Sequence, residues 1–86
     1  MATITKKAAK RISELLSIAS IYSLAARRAA DSADECNYYW SYSLKNGVAV
    51  RALFDEFGIE AEGLTWFTED RIEELRAQVK AARQAA

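Results

Sequence analysis

Cys36 is the only cysteine in the chain, and histidine is absent. Zinc sites built from Cys and His are therefore excluded, as are Ser–His and Cys–His nucleophile pairs. A single cysteine permits no intramolecular disulfide, which removes the disulfide-scaffold class. The carboxylates Glu69/Glu73 and Asp70/Glu74 sit four residues apart, a spacing that solvated helix faces carry routinely. No Gly-rich phosphate loop or metal motif surrounds them. A carboxylate site for a hard cation is the only metal chemistry left open. This inventory points away from an enzyme and calls for no cofactor. Cys36 itself reads as a small buried hydrophobe.

The residues suited to recognition are more numerous. The run Asn37-Tyr38-Tyr39-Trp40-Ser41-Tyr42 sets four aromatics in five positions. Successive helical residues turn by about 100°, so these rings cannot share one face. Trp40 falls on the core stripe, while Tyr38 and Tyr42, four apart, line another face with Tyr39 between them. Coverage by another helix of the same chain is the plainer expectation. The functional one is a contact surface, because Tyr and Trp give large buried area at low entropy cost. Asp34, Glu35 and Asn37 would then form its polar rim. Trp66 and Phe67 read as a plug at the end of the core.

Zero net charge conceals a segregation of charge. Residues 1–30 carry six cations against Glu14, a balance of +5; residues 31–75 carry eleven acids against three cations, a balance of −8. The bland account sets the basic end beside the acidic segment by antiparallel packing. The sharper one is an acidic surface including Asp55, Glu56, Glu60 and Glu62, able to steer onto a basic groove of a partner. Lys6, Lys7, Lys10 and Arg11 cluster over two turns and would suit phosphate contacts, which makes a nucleic-acid accessory factor the alternative. Against it stand the sequence pI of about 6.2 and the acids Glu69 and Asp70 opening the last helix.

The elements that would position these residues are helical. Eighty-six residues allow one domain, 1–86. Proline is absent and glycine occurs three times, while Ala, Leu, Glu, Arg and Lys abound. From Ala8, apolar residues recur at alternating spacings of four and three through Ile12, Leu15, Ala19, Tyr22, Ala26, Ala29, Ala33 and Cys36 to Trp40. The spacing predicts a long N-terminal helix over about 4–45, kinked or broken near 31–32, where Ser32 and Glu35 have the form of a capping box. Continuity is slightly favoured because the stripe stays in phase. Asn46-Gly47 then supplies a stop, and a short helix follows over 48–57 with Val50, Leu53, Phe54 and Phe57 on one face, ended by Gly58. Thr68 caps a last helix reaching about Arg83, with Ile72, Leu75 and Val79 as its stripe. The expected architecture is all-α, a small antiparallel bundle of three to four helices.

Ile18, Ile21 and Leu24 lie off the main stripe, so residues 15–26 are apolar nearly all round. A helix of that kind is buried all round, and too few other helices are available to cover it. Self-association through Ile18, Ile21 and Leu24, as a homodimer, is the natural expectation. No stretch is long enough to span a bilayer, and Glu14 with Arg27-Arg28 interrupts the signal-peptide pattern; a cytoplasmic protein is expected. In size, scarcity of motifs and charge segregation the chain resembles small accessory proteins of phages and mobile elements, such as inhibitors of bacterial defence systems. That resemblance implies a non-enzymatic protein-binding module that occludes a site on its partner. A structural assembly subunit is the remaining expectation.

Overall fold

A computed structural model describes residues 4–61, 64 and 67–84. Within them the chain forms three α-helices and no strand: α1 (Lys6–Arg28), α2 (Ala33–Glu56) and α3 (Glu69–Gln84). The all-α expectation holds. Continuity of the first helix, the favoured form, does not hold, whereas a break near 31–32 does: α1 ends at Arg28, and a turn at residues 29–31 separates it from α2. The Ser32 hydroxyl accepts from the Glu35 amide at 3.5 Å, and Asp34 and Glu35 occupy the positive end of the new helix. The cap therefore overrides the phase of the apolar stripe. Beyond the break Ala33 is exposed, and Cys36 and Trp40 are only half-buried.

The stop at Asn46-Gly47 is also absent. Here α2 runs straight through, so the segment 48–57 is its C-terminal half and not a separate helix. The Asn46 amide nitrogen donates back to the Tyr42 carbonyl at 2.8 Å, and Gly47 has no left-handed backbone. Gly47 instead serves a close approach, since a Cβ there would collide with the carbonyl oxygen of Leu64 and meet Phe67 Cζ at 3.3 Å. Gly58, with φ of 69°, is the glycine that terminates α2. Thr68 caps α3 as expected, its hydroxyl accepting from the Arg71 amide at 3.2 Å.

Helices α1 and α2 fold back on each other, and α3 packs against α1 alone among the helices. The backbone of α3 comes close to α1 but not to α2. One half of the hairpin is well filled. Ile12, Leu15 and Leu16 from α1 join Val50 and Phe54 from α2, Phe67, and Ile72, Leu75 and Val79 from α3. Toward the turn the interior narrows to Ser23, Ala26 and Ala29 of α1 and Ser43 of α2. The Ser23 and Ser43 hydroxyls lie 2.7 Å apart, and Ser43 also donates to the Ala19 carbonyl at 3.3 Å. Small residues let the helices approach closely, and the paired hydroxyls avoid an unsatisfied buried polar group. The overall extents of 46 × 20 × 20 Å reflect this projecting two-helix arm.

Replacing Gly47 by Ala would gain up to about 1 kcal/mol in a free helix, whereas overpacking costs about 1–3 kcal/mol. The expected outcome is net destabilisation, read as a lower midpoint in urea unfolding followed by circular dichroism. Ser43→Ala leaves the Ser23 hydroxyl buried without its partner and is expected to cost about 1–3 kcal/mol. Ser23→Ala/Ser43→Ala should cost less than the two single changes added together in the same assay.

Candidate functional site

The arm positions the sequence's recognition residues. Four tyrosines form one cluster across the two helices. Tyr22 of α1 stacks on Tyr42 of α2 with centroids 5.1 Å apart and lies 6.4 Å from Tyr39. Tyr38 meets Tyr39 and Tyr42 edge-on at 5.4 and 5.0 Å. Lys45 places its ammonium 5.0 Å from the Tyr42 ring centre, within cation–π range. Tyr22 was assigned by its spacing to the core stripe alone. The structure makes it half-buried and the link between the helices' aromatic faces.

Coverage within the chain is partial. Tyr39 and Tyr42 are half-buried by the hairpin, but Tyr38 remains 57% exposed. Its hydroxyl is held above the ordinary tyrosine range, first by its hydrogen bond with Tyr42 and then by repulsion from the Tyr42 phenolate. Slight burial and the charges of Tyr22 and Tyr39 act in the same direction.

The apolar residues flagged for self-association lie on the same arm. Ile18, Ile21 and Leu24 are 38, 66 and 39% exposed. A shallow cleft of about 420 Å³ joins Ile21, Leu24 and Arg28 of α1 to Asp31, Glu35 and Tyr39 across the turn. Tyr39 therefore touches both features, and two surfaces that were distinct in the sequence become neighbours. The physical cause is the absence of α3 from this half of the hairpin. Only two helices meet here, so each has sides that nothing in the chain covers.

The polar rim and the acidic segment lie apart. Asp34 and Glu35 are exposed beside the tyrosines. Asp55 and Glu56 lie at the far end of α2, about 26 Å from Tyr38 along the helix axis, and Glu60 follows the helix end. Glu62 lies outside the described residues, as does Trp66; Phe67 is fully buried in the core. Hairpin folding puts Asp55 and Glu56 at the same end of the molecule as Lys6, Lys7, Lys10 and Arg11. All four of these cations are exposed; Arg11 pairs with Glu14 at 3.7 Å within α1, and Arg51–Asp55 and Arg71–Glu74 likewise each pair within one helix.

A second groove, of about 530 Å³, runs between α1 and α3 and carries Arg76, Lys80 and Arg83. The Arg76 guanidinium donates to the Ser17 hydroxyl at 2.7 Å. Ile12 and Leu16 in its floor are already fully buried, so this groove offers less uncovered apolar surface than the arm. No group of His, Cys, Asp and Glu among the described residues is placed to hold a metal ion. No described helix is long and apolar enough to cross a membrane. No family model, curated protein or solved structure matches the chain.

Tyr42→Phe removes the main cause of the raised Tyr38 value, so Tyr38 should titrate closer to the ordinary tyrosine pKa of about 10. Phenolate absorbance followed against pH checks this; an unchanged Tyr38 titration would contradict the assigned cause. The linkage has a definite sign. A raised folded-state value favours the protonated folded form, so its stabilising effect is complete below the unfolded pKa. It is lost as pH rises through the higher folded value.

Proposed function

We propose that this chain is a non-enzymatic protein-binding module whose contact surface is the hairpin arm, centred on Tyr38 and the Ile18, Ile21 and Leu24 strip. The observation that carries the reading is the exposure of these four large side chains on a part of the fold that only two helices build. Together they leave on the order of 400 Å² uncovered, within the range of the largest patch on an ordinary monomer, a patch that is often functional. Tyrosine adds a polar hydroxyl to a rigid ring, which suits a surface that must be wet when free and packed when bound. Asp34, Glu35 and Arg28 supply charged groups around it.

Covering a partner's site is the simplest activity for such a module. It accords with the resemblance to small phage and mobile-element inhibitors, including those of defence systems. The acids Asp55, Glu56 and Glu60 lie too far along α2 to belong to the same small patch; their role in this reading is long-range steering toward a basic partner.

Affinity capture from the native host, with identification of bound proteins, tests the assignment. Tyr38→Ala and Ile21→Asp should each abolish a specific partner while the helical circular dichroism is retained, because both side chains are largely exposed. Capture unchanged by either substitution would remove the arm as the binding surface. Salt-sensitive retention of the pure protein on DNA or RNA, lost on changing Lys6, Lys7 and Lys10 to Glu, would instead favour the nucleic-acid reading.

A further inference from the structure

The outer face of α1 repeats at alternating spacings of four and three: Lys7, Arg11, Glu14, Ile18, Ile21, Ala25 and Arg28. All are exposed except the half-buried Ala25, so they form a continuous seam that no helix of this chain covers. Ile21 is its most exposed apolar residue, at 66%.

The exposed residues of α1 that flank Ile21 are self-complementary about it. In an antiparallel pair of α1 helices with Ile21 facing Ile21, each residue opposes the one equally far on the other side. Ile18 then faces Leu24 of the second copy, and Glu14 faces its Arg28. Arg11 lies toward the end of the second copy's α1, where the turn carries Asp31. The two-fold axis makes every one of these pairs occur twice, so one patch satisfies both partners. The two adjacent registers are less favourable. A shift that centres the pair between Ile18 and Ile21 sets Arg11 against Arg28, and the opposite shift sets Arg28 against Ile18.

We infer that the arm's partner includes a second copy of this chain, docked through an antiparallel α1–α1 seam centred on Ile21. The inference rests on the reading of the arm as a protein-binding surface and names one occupant of it. Hydrophobic contact at Ile18, Ile21 and Leu24 supplies attraction, and the flanking charges fix direction and register, as they do in helical zippers. A like-charge contact penalises one slipped register, and a charge set against an apolar side chain penalises the other. Tyr38, on the neighbouring α2 face, is left outside the seam.

Two experiments test the seam. In a Cys36→Ser background, Ile21→Cys places a thiol on the two-fold axis, where it meets its own copy within disulfide range. Mild oxidation should cross-link it about ten-fold faster than Val48→Cys, whose side chain is equally open at 70% exposure but lies on α2. Equal rates would overturn the placement. Sedimentation then reads the charges: Glu14→Arg and Arg28→Glu should each weaken the dimer about ten-fold, since each replaces two attractive contacts by repulsive ones. The combined Glu14→Arg/Arg28→Glu variant should regain the unsubstituted affinity. Failure of that rescue, with helicity intact, would overturn the register. A chain that stays monomeric at all concentrations, with Tyr38-dependent capture of another protein retained, would overturn the second copy and leave the arm's binding role standing.

Discussion

The close approach of α1 and α2 is the constraint on which the remaining structure depends. Ser43 meets Ala19 and Ser23, and with Ala26, Ala29 and Gly47 also buried the interior there holds little side-chain volume. At Gly47 the connection to α3 also presses in, with the Leu64 carbonyl lying where a Cβ would stand. That contact brings Leu64 and Phe67 into the core and sets where α3 begins. The same economy of volume makes the arm thin. A thin two-helix arm has an interior too small to absorb large residues, so Tyr38, Ile18, Ile21 and Leu24 are displaced to its sides.

The filled core and the exposed candidate contact residues are thereby divided along the molecule's length. The large apolar residues gather where three helices supply walls, and the hydroxyl pair of Ser23 and Ser43 carries the interior of the arm. Such an arm gains little from hydrophobic burial of its own, and any chain that covers it adds to its stability. Aromatic packing among Tyr22, Tyr38, Tyr39 and Tyr42 partly offsets the missing core and pre-orients the exposed ring.

Much of this was legible locally. Ser32 with Glu35, Thr68 before Glu69 and Asp70, and Gly58 after Phe57 are caps whose physics is contained within a few residues, and each works where it stands. The exposure of Ile21 followed from apolar residues around the whole circumference of α1. Gly47 misled because a glycine that ends a helix and one that lets another strand of backbone pass look alike in sequence. The stripe through Ala33 and Trp40 misled for a related reason: Ala is compatible with a buried seam and with a solvated face.

By itself, the sequence determined the helical class, the lack of His and paired Cys chemistry, the capped helix ends and the surplus of apolar surface on α1. These follow from composition, periodicity and interactions spanning four residues or fewer. Only the tertiary structure decided that α2 continues through Gly47, that Tyr22 joins the tyrosines of the other helix, and that Asp55 and Glu56 stand apart from Tyr38. Those outcomes depend on which surfaces meet across more than fifteen residues of chain. That choice is made by volume and backbone approach between helices, and no local pattern encodes it.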